Sequence, residues 1–378
     1  MNVTGDCVTG DCVGSTPVTP GWASPTLQRM AQPGSRSRIV LAILWLLLGL
    51  AMIGVPLWLG WTRWQAILNG HPAMLAAGIL CGLLGFVAVA WSIASLALGD
   101  RQDREGDPEH PSRRTDEQIR RRARWRLALA IPALIACTAL VAVLAWARPF
   151  NATPAAAASM RSENNVVVVD KLGWYEMQPV GKDKSGKSVK PTVALIFVPG
   201  ARVDPRAYAG LLHPLAEAGY VVAVLKAPFG IALAGPNQAE KVLRVHPGIT
   251  YWAVGGHSLG GTAAASFADE HEEVKALVLY ASYPARPIDR TDLKVLSISG
   301  SADGLATTAD INASKAYLPP DTLYVVIPGA VHSDFGDYGD QPGDGSRTID
   351  HAVAQTEIQK ATSDLLTSLT PPTKTPKK

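Results

Sequence analysis

The chain has 378 residues and a formal net charge of +3. It is long enough for one full-sized catalytic domain with added segments, and too weakly basic for a nucleic-acid partner to be expected. Its four cysteines, Cys7, Cys12, Cys81 and Cys137, all precede residue 148, which excludes an internal disulfide or a thiol nucleophile from the remaining residues.

Residues 1–38 hold the tandem pentapeptide Thr-Gly-Asp-Cys-Val at positions 4–8 and 9–13 and read as a disordered cytoplasmic tail. Two cysteines alone do not complete a tetrahedral metal site, so no metal is expected there. Residues 39–147 read as a membrane anchor with three apolar runs, at 39–61, 73–98 and 127–147. At a rise of ~1.5 Å per residue each is long enough to cross about 30 Å of hydrocarbon. Trp58, Trp61, Trp64, Trp125 and Trp146 gather near the ends of these runs, where amphipathic rings favour the headgroup layer. The runs contain no acid or base, the usual mark of an ion path, so they are expected to anchor rather than transport.

Arginines set the expected orientation. The loop 99–126 carries Arg101, Arg104, Arg113, Arg114, Arg120, Arg121, Arg122, Arg124 and Arg126, whereas the turn between the first two runs holds only Arg63. Basic flanks stay cytoplasmic, which predicts that everything after Ala147 lies outside the cell membrane. Residues 148–165, rich in alanine, read as a linker.

From 166 to 369 short apolar stretches alternate with helical patterns. Strands are predicted at 166–170, 174–178, 193–198, 221–225, 251–254, 276–280, 295–299 and 323–327. Helices are predicted at 205–218, 239–245, 259–270 and 352–368. This alternation predicts a doubly wound, mostly parallel α/β sheet preceded by three transmembrane helices. Residues 370–378 read as a disordered Pro/Lys tail.

Ligands of such sheets bind at the carboxyl ends of the strands, and the chemistry-bearing residues stand there. Gly256-His257-Ser258-Leu259-Gly260 joins the strand at 251–254 to the helix at 259–270. A turn this sharp leaves no room for side chains at its glycines and holds the serine exposed over a helix N-terminus. A serine hydroxyl needs a base and the base needs an orienting acid. Asp303 follows the strand at 295–299 and His332 follows the strand at 323–327, so nucleophile, acid and base occur in the expected chain order. The oxyanion donors are expected to be the N–H groups of Leu259 and Ala201, the latter in the loop after the strand at 193–198.

Gly256, His257, Ser258 and Gly260, with Asp303 and His332, resemble the triad elements of the α/β-hydrolase superfamily. Residues 198–204 (Val-Pro-Gly-Ala-Arg-Val-Asp) and 332–339 (His-Ser-Asp-Phe-Gly-Asp-Tyr-Gly) are similar to a bacterial branch of small, lidless carboxylesterase-like hydrolases. The resemblance covers residues 166–369 and not the apolar runs. Pro199 departs from it, because many members carry histidine before that glycine. The resemblance implies ester hydrolysis through an acyl-enzyme on Ser258, with no metal or organic cofactor, a small-molecule ester as substrate and the lipid bilayer as the other partner. Acyl transfer to a cell-envelope acceptor and a non-catalytic anchored binding module are the alternatives. Arg202 and Lys226 are two cations expected near the pocket, and residues 230–247 are the best stretch for a modest cap.

Overall fold

The computed structural model describes residues 33–102, 116–163, 165–181 and 190–370. Most of the expected N-terminal tail, the centre of the arginine-rich loop and the last eight positions lie outside the described residues.

Three long helices, α1 (Pro33–Asn69), α2 (Pro72–Gln102) and α3 (Asp116–Trp146), contain the three apolar runs. The helices outlast those runs because arginine, glutamine and leucine are good helix formers on either side of an apolar boundary. All three are long and apolar enough to cross a membrane, over Arg38–Asn69, Pro72–Ala97 and Arg124–Trp146. Large apolar side chains such as Leu57, Leu83, Phe86, Leu129 and Ile135 are exposed on their outer faces. Glycines bring α1 and α2 together: a Cβ on Gly85 would stand 2.7 Å from the Gly49 carbonyl, and one on Gly49 would stand 2.9 Å from the Gly85 carbonyl. Small residues at such a crossing let two helix backbones approach closely. Met52, Leu59, Ile67, Met74, Cys81 and Leu144 fill the space beside it.

After α3 the chain turns at once onto the following domain. Phe150 bridges Val203, and a short helix α4 (Pro154–Ala158) is capped by the Thr153 side chain. The segment expected as a linker is therefore ordered and packed, because a Thr-Pro N-terminus is a strong helix start even before a run of alanines.

Eight strands follow: β1 (Val166–Asp170), β2 (Trp174–Pro179), β3 (Val193–Val198), β4 (Val221–Leu225), β5 (Tyr251–His257), β6 (Val274–Tyr280), β7 (Lys294–Gly300) and β8 (Leu323–Ile327). They form one sheet in the order β1-β2-β4-β3-β5-β6-β7-β8. The β1–β2 and β2–β4 pairs are antiparallel and the others parallel. Both faces are covered, as parallel strands require. Along β3, Val193, Leu195 and Phe197 face one core cluster, and Ala194, Ile196 and Val198 face the other. Helices α5 (Ala209–Glu217) and α9 (His351–Thr367) pack on the first face, and α6 (Gln238–Val245) and α7 (Leu259–Glu270) on the second. The remaining helix, α8 (Thr308–Ser314), lies between β7 and β8 and starts with a capping box of Thr307 and Asp310. Because the chain leaves β3 toward β4 and then returns to β5 on the other side, a crevice opens between the carboxyl ends of β3 and β5.

Replacing Gly85 with leucine should overpack the α1–α2 crossing at a cost of about 1–3 kcal/mol. Thermal melting of the full chain in detergent reads this as a lowered transition, and an unshifted transition would show that the two backbones are not in close contact.

Candidate active site

The crevice is built from the residues that end β3 and β5. Ser258 stands between β5 and α7 with φ 52° and ψ −129°. That conformation is strained for any residue with a Cβ and survives only where neighbours enforce it. Here they do: the Ser258 N–H donates to the Tyr280 carbonyl at 3.0 Å and its own carbonyl accepts from the Ser282 hydroxyl at 2.6 Å. The flanking glycines leave no alternative. A Cβ on Gly256 would stand 2.5 Å from the Gly260 carbonyl carbon, and one on Gly260 would collide with the carbonyls of Val198 and Pro199.

His332 and Asp303 come together from the loops after β8 and β7. The His332 Nδ1–H donates to Asp303 Oδ2 at 2.9 Å, and both side chains are buried. Asp303 Oδ1 accepts from the N–H groups of Leu305 at 2.7 Å and Ala306 at 2.8 Å. A carboxylate can only accept, so the Nδ1 position carries the proton and a neutral imidazole presents a lone pair at Nε2. Among the described residues that Nε2 has no hydrogen-bond partner.

The loop after β3 narrows the choice of backbone donor. Pro199 has no N–H. The Gly200 N–H donates to the Tyr208 hydroxyl at 2.9 Å, and the Arg202 N–H donates to the Gly230 carbonyl at 2.7 Å. Ala201 supplies the one N–H of residues 199–202 that makes no hydrogen bond among the described residues. Leu259 is the first residue of α7, where an N–H has no acceptor within the helix.

The profile of the alpha/beta hydrolase family matches residues 194–357. The domain has the α/β-hydrolase fold. Similar solved structures include a dienelactone hydrolase-like promiscuous phosphotriesterase from metagenomic libraries, at 16 % identity and TM-score 0.41, covering 55 % of this chain and 97 % of that one. Another is a dienelactone hydrolase described as putative from Klebsiella pneumoniae subsp. pneumoniae, at 16 % identity and TM-score 0.40, covering 53 % and 99 %. A third is Est1E from Butyrivibrio proteoclasticus, at 13 % identity and TM-score 0.40, covering 55 % and 99 %. A search of curated protein sequences finds no match.

Two features of the candidate site rest on contacts that spacing along the chain does not define. His257 is fully buried against the Gly200 loop: the Tyr208 hydroxyl, which accepts from Gly200, donates to His257 Nδ1 at 2.9 Å. A Cβ on Gly200 would approach that nitrogen to 2.7 Å, so glycine is required by this packing. Burial first, and then the neighbouring His332 with its ring centroid 4.5 Å away, push the His257 pKa well below its ordinary value, and it is neutral. Tyr208 thus ties the Gly200 N–H to the His257 ring.

The second is the acidic run after His332. Asp344 accepts at Oδ1 from the N–H groups of His332 (3.0 Å), Gly304 (3.3 Å) and Gly345 (2.7 Å), and at Oδ2 from Ser333 (2.9 Å). It ties the acid loop to the histidine loop. Burial opposes its ionisation, yet these four N–H bonds hold its carboxyl below the ordinary range. Asp334 accepts from the Val331 N–H at 2.8 Å, Arg347 Nε at 2.6 Å and His351 Nδ1 at 2.8 Å. Asp337 receives His351 Nε2 at 2.8 Å. Among the described residues no group of three metal-ligating side chains is arranged to hold an ion.

The two cations expected near the pocket are engaged elsewhere. The Arg202 guanidinium donates to the Trp146 carbonyl at the end of α3 at 2.7 Å, and the buried Lys226 ammonium pairs with Asp170 at 2.5 Å. Side-chain partners already at hand outcompete a pocket that only the strand order suggests.

His351 links pH to stability through this loop. Hydrogen bonds to Asp334 and then Asp337 raise its pKa from 6.5 to about 9. A folded value above the unfolded one means that the contribution is complete below about pH 6.5 and is lost as pH rises through about 9. The wild-type melting temperature should therefore fall across that window, and His351→Gln should flatten the fall. Parallel curves for the two proteins would remove His351 from the account.

Proposed function

We propose that this protein is a membrane-anchored serine hydrolase of carboxylic esters, with Ser258 as nucleophile, His332 as general base and Asp303 as its orienting acid. The observations that carry the reading are the buried His332–Asp303 pair, which leaves Nε2 as an unpartnered acceptor, and the strained Ser258 at the end of β5. In this mechanism Nε2 takes the hydroxyl proton as Oγ attacks the ester carbonyl. Asp303 stabilises the imidazolium without being protonated. The carbonyl oxygen, now negative, accepts from the N–H groups of Leu259 and Ala201. The tetrahedral intermediate collapses as the imidazolium protonates the leaving alkoxide. Water, deprotonated by the same nitrogen, then attacks the acyl-enzyme and releases the acid.

The three long apolar helices support the anchor, and the arginine asymmetry supports a catalytic domain outside the cell membrane. Under this reading the domain spans residues 166–369, and its substrate is a small or medium ester.

A fluorescent fluorophosphonate should label the purified full chain, and Ser258→Ala should abolish both the label and turnover of p-nitrophenyl esters. Absence of label on folded wild-type protein sinks the proposal. Asp303→Asn should keep the fold and lower kcat by about 10³–10⁴, since the histidine loses its orienting acceptor; a loss below tenfold would remove Asp303 from the triad. A reporter fused after Lys378 should be active outside the membrane, and cytoplasmic activity would overturn the orientation.

A further inference from the structure

Arg202 is one of four non-glycine residues with positive φ among the described residues, at 61°, and it directly follows the proposed donor Ala201. Its backbone is bonded on both sides. The Arg202 N–H donates to Gly230, and its carbonyl accepts from the Phe150 N–H at 2.7 Å. Phe150 in turn accepts from the Asp204 N–H at 2.9 Å, so residues 202–204 are stitched to the chain just after α3. The side chain reaches the helix itself. Its Nη1 donates to the carbonyl of Trp146, the last residue of α3, at 2.7 Å. Its guanidinium lies 5.1 Å from the Trp146 ring centroid and 5.3 Å from that of Phe150. A helix C-terminus carries unsatisfied carbonyls and partial negative charge, and a planar cation that caps it while stacking on aromatic rings matches both.

The opposite side of the loop is docked too. Gly230, whose carbonyl receives the Arg202 N–H, follows Phe229, another residue of positive φ at 54°. Phe229 packs against the cluster of Met52, Leu59, Ile67, Met74 and Leu144 in the three long helices. Asn151 Nδ2 donates to the Thr62 carbonyl of α1 at 3.3 Å. Arg202 in the loop after β3 and Phe229 in the loop after β4 are both strained, and both lean on the long helices. Strain of this kind persists only while the surroundings over-determine it.

We propose that the anchor is a working part of the oxyanion hole, with Arg202 as a positioning residue that fixes the Ala201 N–H through its clamp on the end of α3. Releasing the clamp lets Arg202 relax toward negative φ and turns the adjoining peptide, which moves Ala201 away from the place where the oxyanion forms. The proposal rests on the reading of Ala201 as a donor to the oxyanion. It makes the helices more than a tether.

The test uses the full chain in nanodiscs. Arg202→Ala should lower kcat by about 10- to 100-fold, short of the loss of a whole donor. It should leave KM within about twofold and weaken a trifluoromethyl ketone inhibitor in proportion to kcat. Arg202→Lys, which can still cap the carbonyl, should recover part of the loss. Unchanged kcat in a folded Arg202→Ala protein would overturn the inference. Should that variant fail to fold, Trp146→Leu removes the ring stack alone and should give a smaller loss of the same pattern; unchanged kcat there counts equally against it. Wild-type protein that neither takes the fluorophosphonate nor hydrolyses esters would instead defeat the proposed function, so the two failures are distinguishable.

Discussion

The strained serine at the end of β5 is the constraint on which the rest of the structure depends. A residue with φ 52° between a strand and a helix has to be held from both sides. β6 supplies the hold, through the Tyr280 carbonyl and the Ser282 hydroxyl. The glycines at 256 and 260 let β3, β5 and α7 approach closely enough for that hold to act. Parallel pairing of β3 with β5 through Val198 and Gly256 then brings the Gly200 loop level with the serine. Position of the proposed nucleophile and position of the proposed backbone donors are thus one consequence of one register.

Around that point the polar groups are layered by what they can still do. Asp303 is saturated by two N–H groups and His332, so it orients without being free to wander. Asp344 lies one step further out and bonds only backbone, which locks the two loops to each other. His351, bridging Asp334 and Asp337, fastens the far end of the same loop to the start of α9. Of these side chains, His332 alone keeps a buried nitrogen without a partner among the described residues.

Much of this was legible in the sequence, and the reasons are local. The proposed triad residues stand out in the sequence because each follows an apolar run at a strand's end, and strand edges were predicted well where β-branched residues crowd, as at 193–198 and 221–225. β5 ran on past Val254 because Gly255 and Gly256 have no β propensity of their own and are held by neighbours instead. α8 was missed because it is short and buries only Ile311 and Ser314, too little to generate a period. The predicted helix at 205–218 divides into a 3-10 turn, Pro205–Tyr208, and α5, since Asp204 caps the turn and Tyr208 is needed inward. Tyr208 and His257 are 49 positions apart, and no spacing rule connects them. The uses of Arg202, Lys226 and Asp344 are also products of tertiary contact, which local pattern does not encode.

Buried polar atoms separate scaffold from site without reference to any motif. Within the catalytic domain Glu176 is buried yet receives His246, Lys171 and Trp174, and although burial opposes it, those bonds take its pKa to about 2. Asp204 is buried against Arg206, and Asp334 against Arg347 and His351. Satisfying such groups is the rule in folded proteins because an unpaired one costs about 1–3 kcal/mol. Among the described residues of 166–369, the buried side-chain atoms left without a partner are Nε2 of His257 and Nε2 of His332. Their rings lie against each other, with centroids 4.5 Å apart, and His257 directly precedes the strained serine. A domain that pairs its buried acids so thoroughly yet leaves two adjacent imidazole nitrogens unpartnered holds this unmet bonding capacity at one place, beside the end of β5 where His257 precedes the strained serine.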